Sequence, residues 1–335
     1  MKIAIDAMGG DYAPAEIVKG AVQAASLYGV EIVLVGDKEA ILKSMPKSAL
    51  NDSRIQIRHT SEMIGMKEPA AAFRTKKEAS VVICAEMVRD GQAQAMISVG
   101  NTASAMAVAT FKLGRIEGID RPAIATDLPT ITGRTILLDA GATADCDVAN
   151  LMQFALMGSV YAEKVMSIPN PRVALLSIGE EECKGNELTK LAHTALRDSG
   201  LNFIGNVEGR HLFMGAADVI VCDGFTGNIA LKSAEGLGEY VLALIKQEAK
   251  NPIGRLCLGF SKPILRRLKY RIDYTEHGGA PLLGVNGICI IGHGRSNAKA
   301  ISSAVKAAVS AVEHNVISSI STSLCNVTPK SVKVV

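Results

Sequence analysis

The chain reads as an α/β protein, a doubly wound α/β/α sandwich, on three observations. Short runs such as 32–36 (IVLVG) and 172–179 (RVALLSIG) are apolar on both faces, as buried parallel strands are. The Ala-rich stretches between them begin with Ser, Asn or Pro and end near Gly, the punctuation of helices. The alternation continues over nearly all 335 residues, without internal repeat or low-complexity linker.

Taken in order, strands are predicted at residues 2–8, 31–36, 54–59, 94–98, 134–139, 172–177, 219–222 and 288–291. Helices are predicted at 15–28, 80–90, 102–113, 148–165, 186–198, 228–249 and 296–312. Residues 1–315 read as a single α/β catalytic domain, and the Ser/Thr/Val-rich stretch 316–335 as a mobile tail. With 48% hydrophobic residues and a net charge of only +3, the chain is not intrinsically disordered. Its 7 Cys are spread singly with no CxxC pair, so neither a zinc site nor a redox dithiol is written, and no metal is expected. The first strand is interrupted by Asp6 before any signal-peptide core could form, and no stretch approaches the ~20 apolar residues of a membrane span. A reducing, cytoplasmic setting is the expectation.

In doubly wound folds ligands bind beyond the carboxyl ends of the strands. After the first strand stands Asp6-Ala7-Met8-Gly9-Gly10-Asp11. Two adjacent glycines permit a tight turn and close backbone approach, while the flanking acids disfavour a dinucleotide diphosphate. Ser98-Val99-Gly100-Asn101-Thr102 opens a small-residue helix, either a plain N-cap or an anion cradle; no Lys follows the glycine, so it is no Walker loop. In 178–186, Lys184 follows three glutamates and precedes Asn186. That stretch is either a solvated loop capped by Asn186 or a lysine poised over an anionic substrate. Arg210 ends GNVEGR and could hold a phosphate in forked geometry. Asp223 ends a buried strand, with Thr226 and Asn228 opening a long helix, and His277-Gly278-Gly279 precedes the last strand. Together these loops imply one large anion-binding cleft at the ends of a single sheet.

Residues 252–272 carry six cations and no acid, so the remainder of the chain is net negative. Leu256, Phe260, Ile264, Leu268 and Ile272 recur every four residues beside Arg266 and Arg267, forming a basic amphipathic arm. Three uses compete for it: a dimer interface, docking of an acidic carrier protein, and contact with anionic lipid. Nucleic acid is disfavoured, since 4% aromatics and one short basic run give no stacking platform.

With these blocks assembled, the chain resembles the bacterial phosphate:acyl-ACP acyltransferase family, PlsX. The matching blocks are DAMGGD (6–11), SxGNT (98–102), RP (121–122), LDxGA (138–142), IGEExxKGN (178–186), GNVEGR (205–210), CDGFTGN (222–228), GGAPLLG (278–284) and HGxS (293–296). Val99, Ala103 and Ser104 stand where SAGNTGA-like residues are usual, and Thr143 replaces a common Asn. The resemblance implies transfer of a long acyl group from acyl carrier protein to inorganic phosphate, with no cofactor. The acyl phosphate then serves a glycerol-3-phosphate acyltransferase in phospholipid synthesis. It also implies an isopropylmalate dehydrogenase/phosphotransacetylase-like fold, a homodimer, and peripheral association with the inner face of the cell membrane. Phosphate being the nucleophile, no Ser or Cys nucleophile is needed. Lys184 is then read as phosphate or oxyanion stabiliser, Asn101, Thr102, Thr226 and Asn228 as positioning donors, and Asp223 as an orienter. Asp6, Gly9, Gly10, Gly100, Asn101, Thr102, Asn186, Arg210, Thr226, His277, Gly278 and Gly279 are read as substrate- or phosphate-binding. A short-chain phosphotransacetylase acting on acyl-CoA, a non-catalytic acyl-ACP or membrane scaffold, and an oxidoreductase of the shared fold are the alternatives.

Overall fold

The computed structural model describes residues 1–249, 260–261, 263 and 279–326. Its first half builds β1 (Lys2–Asp6), α1 (Ala15–Tyr28), β2 (Glu31–Gly36), α2 (Lys38–Ser44), β3 (Ile55–His59), α3 (Ser80–Arg89), β4 (Ala95–Ser98) and α4 (Thr102–Lys112). These follow the predicted alternation, with α2 added. Asp37 caps α2 by accepting from Ala40 N at 2.8 Å; seven residues are too few to show a helical stripe in sequence.

The chain then leaves this layer through two short strands, β5 (Ala123–Ile124) and β6 (Thr126–Pro129). A second layer follows: β7 (Arg134–Leu138), α5 (Val148–Val165), β8 (Val173–Leu176), α6 (Glu187–Arg197), β9 (Phe203–Val207), β10 (Val219–Val221) and α7 (Gly224–Glu248). Beyond the arm, β11 (Ala280–Leu283) and β12 (Ile288–Ile291) return to the first layer, followed by α8 (Ala298–Glu313) and α9 (Val316–Asn326).

The α/β alternation holds, but the strands divide between two sheets rather than one. One sheet has the order β3-β2-β1-β4-β12-β11-β5 and the other β6-β7-β10-β8-β9. In the first, β3, β2, β1, β4 and β12 run parallel, so their carboxyl ends share one edge. In the second, β7, β10, β8 and β9 do the same. The antiparallel β6–β7 pair starts the new sheet. The buried strand residues are mostly apolar: Ile3, Ile5, Ile32 and Leu34 in one layer, Ile136, Leu138, Val173 and Val219 in the other. Helix α1 packs on α8, and α5 on α9. Phe154 of α5 is entirely buried between the layers.

The tail expectation is corrected for residues 316–326. They form α9, with Val316 and Ile320 each 1% exposed. Ile317 and Leu324 join that packed face, an apolar stripe whose helical period the intervening Ser and Thr residues hide. Among the described residues no helix is long and apolar enough to cross a membrane.

Candidate functional site at the strand-end loops

On the first sheet, the loops after β1, β4 and β12 are in contact. Asp11 N donates to Gly294 O at 2.7 Å, and Gly292 N to Ser98 O at 2.9 Å. Gly10 turns with φ of 97°, a left-handed conformation that favours glycine. A Cβ on Gly9 would stand 2.8 Å from Gly100 N and 2.9 Å from Gly100 Cα, so only glycine lets the two loops meet. Gly9, Gly10, Gly100, Asn101 and Thr102 are thus brought to one rim.

The side chains there are differently employed. Asp6 is buried, accepting from Ser80 Oγ at 2.6 Å, Ser98 Oγ at 2.8 Å and Met8 N at 3.2 Å. Burial pushes its carboxyl above the ordinary value, with these hydrogen bonds opposing. Its carboxylate therefore ties β1, α3 and β4 together from beneath the rim. Asn101 caps α4 by accepting from Ser104 N at 3.0 Å. Its amide donates to the carbonyls of Met66 and Glu68, so the Asn101 side chain is committed to the fold.

On the second sheet, Asp223 is the N-cap of α7, accepting from Thr226 N at 2.8 Å and Thr226 Oγ1 at 2.7 Å. The helix therefore starts at Gly224, one turn earlier than expected, and Asn228 lies inside it. Asn228 is exposed, its Cβ and Cγ 3.4 and 3.5 Å from where a Gly141 Cβ would be. Its amide makes no hydrogen bond among the described residues, leaving it available to a ligand.

The loop after β8 carries Lys184, exposed and in no ion pair among the described residues. Two of the three glutamates before it have other partners. Glu182 pairs with Arg197 at 2.6 Å, while Glu180 approaches Arg210 at 3.7 Å and His211 at 3.4 Å. The loop is braced from below: Asn206 donates to Glu181 O at 3.0 Å and shares a 2.9 Å bond with buried His193. Gly185 turns with φ of 106°, and Asn186 caps α6 by accepting from Thr189 N at 2.9 Å. Arg210 is bound to Glu208 at 2.9 Å. Register sets Val221 beside Leu175, so the loops carrying Asp223 and Lys184 leave neighbouring strands.

Helix α7 joins the two rims. Its Leu231 packs in the cores of both layers. Lys232, one turn past Asn228, and Glu235, two turns past it, lie within electrostatic reach of His293 on the β12 loop. Burial, Lys232 and Arg295 hold the His293 imidazole below its ordinary value, while Glu235 and Asp11 oppose them.

His277 and Gly278 lie outside the described residues, as do Leu256, Ile264, Arg266, Arg267 and Leu268 of the arm; Phe260 is exposed. Gly279, with φ of 120°, packs against Ile290 and Ala304 and lines a cavity of about 720 Å³ that also touches Arg134, Tyr161 and Lys306. Sequence reasoning did not single out His293, Lys232 or Asp139. The HGxS and LDxGA blocks held two of them, but nothing in the spacing of α7 tells which of its faces meets the β12 loop. Among the described residues no group of three or more His, Cys, Asp or Glu could hold a metal ion.

Glycine-lined loops from two sheets, joined by one helix, define the class of α/β enzymes that build sites at strand ends. Solved structures share the architecture. A phosphotransacetylase from Streptococcus pyogenes superposes with a TM-score of 0.62 over 94% of both chains at 18% identity. A 4-hydroxythreonine-4-phosphate dehydrogenase from Klebsiella pneumoniae gives 0.55 over 93% of this chain and 97% of its own, at 13% identity. At such identities the fold alone is shared. Sequence goes further: the model of the fatty acid synthesis protein family matches residues 1–319, and the chain belongs to that family. A phosphate acyltransferase of Heliobacterium modesticaldum is 54% identical over 323 residues, covering 96% of each chain. Another, of Pelotomaculum thermopropionicum, is 52% identical over 326 residues, 97% of this chain and 95% of that one.

Proposed function

We propose that the chain transfers a long-chain acyl group from the thioester of acyl carrier protein to inorganic phosphate, releasing acyl phosphate for phospholipid synthesis. The observation that carries the reading is the 54% identity over 96% of both chains to a relative called phosphate acyltransferase. The geometry is compatible with that chemistry. A phosphate oxygen attacks the thioester carbon; the new C–O bond forms as the C–S bond breaks, and the thiolate leaves with the electron pair. A simple thiol titrates at about 8.5, so little acid assistance is needed. What the protein must supply is position and donors for the developing oxyanion.

Lys184, unpaired in its loop, is the cation for phosphate or oxyanion, and Asn228 the neutral donor. Thr226 and Asp223 act on Asn228 by fixing the first turn of α7. Gly9, Gly10, Gly100 and the start of α4 at Thr102 form the opposing wall, with Arg210 and Asn186 at the second sheet's rim. Asp6 and Asn101 contribute by holding that wall.

Two features support a homodimer working at a membrane. Ile229, Leu237, Tyr240, Val241 and Leu244 place an exposed apolar stripe along α7. This helix leads toward the basic segment 252–272. Apolar stripe and cationic arm together suit a second copy and an anionic bilayer surface.

The test incubates long-chain acyl-ACP with labelled inorganic phosphate and follows acyl phosphate, with acyl-CoA as the parallel donor. Transfer from acyl-ACP, saturable in phosphate, is expected, and Lys184→Ala should lower kcat by about 10²- to 10³-fold, as loss of an oxyanion donor does. Transfer only from short acyl-CoA would overturn the donor assignment. Near-normal turnover of Lys184→Ala would overturn that of the lysine.

A further inference from the structure

We propose that Asp139, at the end of β7, is a positioning residue that seats Asn228 for acyl transfer. The proposal rests on the reading of Asn228 as a substrate-facing donor.

Asp139 is 0% exposed, and its carboxylate is satisfied almost wholly by backbone. Oδ1 accepts from Ile124 N at 2.8 Å and from Gly141 N and Ala142 N at 3.0 Å each. Oδ2 accepts from Ala142 N at 3.0 Å and Thr143 N at 2.6 Å. No Lys or Arg pairs with it among the described residues. Two consequences follow from these bonds.

The N–H groups of 141–143 point at Asp139, so this loop is shaped by an internal anion rather than open to an external one. One of the partners, Ile124, belongs to β5, the edge strand of the other sheet. Asp139 therefore stands at the seam of the two layers, where Ala140 N also donates to Ile124 O at 3.0 Å.

Helix α7 rests on that seam through two glycines three residues apart, which share one helix face. A Cβ on Gly224 would meet Asp139 Oδ2 at 2.6 Å and Thr143 O at 2.7 Å, and one on Gly227 would overlap the Asp139 carbonyl oxygen. Gly224 N donates to Thr143 O at 2.8 Å. Asn228, next along in the same turn, stands beside Gly141, its Cβ 3.4 Å from where a Gly141 Cβ would be. The carboxylate thus fixes the 141–143 loop, the loop fixes the axial position and rotation of the first turn of α7, and that turn aims Asn228. With Asn at 139, an amide N–H₂ would confront at least one backbone N–H, donor against donor, and the loop would have to shift. A misplacement approaching 1 Å at a reacting centre costs roughly 10²-fold in rate.

The experiment measures kcat and KM for phosphate and acyl-ACP in Asp139→Asn, Gly227→Ala, Asn228→Ala and the double variant Asp139→Asn/Asn228→Ala, with thermal melts of each. Gly227→Ala keeps the carboxylate and lifts the turn from the Asp139 backbone carbonyl, so it carries the test alone if Asp139→Asn does not fold. Asp139→Asn and Gly227→Ala should each lower kcat about 10- to 100-fold. KM for phosphate should stay within about threefold, since positioning and not ground-state binding is lost. The double variant should match Asn228→Ala alone, because a residue acting through Asn228 adds nothing once that side chain is gone. Retained kcat in both single variants, or a double variant slowed by the product of the separate losses, would overturn the proposal. Near-normal turnover of Asn228→Ala is a different result: it would overturn the reading of Asn228 and the proposal with it.

Discussion

Gly9→Ala tests whether the two loops of the first sheet must touch. The added Cβ would sit 2.8 Å from Gly100 N, 2.9 Å from Gly100 Cα and 2.6 Å from Asp6 Oδ2. Comfortable contact between carbons needs roughly 3.5 Å, so the loops must part by about 0.6 Å. Neither neighbour is the free end of a flexible side chain: Gly100 is backbone, and Asp6 is held by Ser80 and Ser98. Overpacking of this kind costs about 1–3 kcal/mol, a fall of a few degrees in Tm. If a 1 Å misplacement costs roughly 10²-fold, a shift of about 0.6 Å should lower kcat for acyl transfer about 10-fold. The assay is acyl phosphate formation at saturating donor, beside a thermal melt. Gly236→Ala is the control, since a Cβ there meets nothing within 4 Å. Unchanged kcat and Tm in Gly9→Ala would refute the claim that contact between these loops shapes the site.

Other outcomes are expected. Gly236→Ala, in the interior of α7, should raise stability by about 0.5–1 kcal/mol in chemical denaturation, because alanine loses less backbone freedom in a helix. Asn186→Ala should lose about 1 kcal/mol, and Asn186→Asp, an equally good cap, should recover it; a melt separates this capping role from ligand binding. His293 gives a pH signature. Its unfolded imidazole titrates near 6.5 and the folded one lower, so between those values the unfolded chain binds more protons. Its contribution is therefore full above about pH 6.5 and is lost as pH falls through the folded value. His293→Gln should lose less stability than the parent on acidification over that window, and parallel curves would contradict it.

Much of this architecture was written in local pattern. Helix α1 runs Ala15–Tyr28 and β2 Glu31–Gly36, as their periodicity implies. Four strands escaped, three of them for reasons visible in their residues; the fourth is β6, in TDLP. The two-residue β5 is too short to carry a period. Strand β9, in FIGNV, is interrupted by Gly205, and β11, in APLL, begins beside Pro281 just after two glycines in the sequence. Missing β5, β6 and β11 meant missing the second sheet, because these strands are where the chain crosses between layers. The site was legible as a set of loops but not as a division of labour. Sequence could not tell that Asp6 is buried under hydroxyls, that Asn101 is spent on two carbonyls, or that Glu180 and Glu182 turn away from Lys184. Those partners lie 15 to 92 residues distant, and no local spacing encodes them. Asp139 escaped for the same cause: its acceptors are filled by its own loop and by Ile124, a pairing that only the joined sheets create.

We propose that both rims grip one substrate across α7. Hydrogen–deuterium exchange of the full chain, with and without phosphate and a non-cleavable acyl thioether of acyl carrier protein, reads this directly. Backbone amides at 8–11, 99–103, 183–186 and 224–228 should slow together when both ligands are present. Slowing confined to the loops of one sheet, with the other rim exchanging as in the free protein, would contradict the shared cleft.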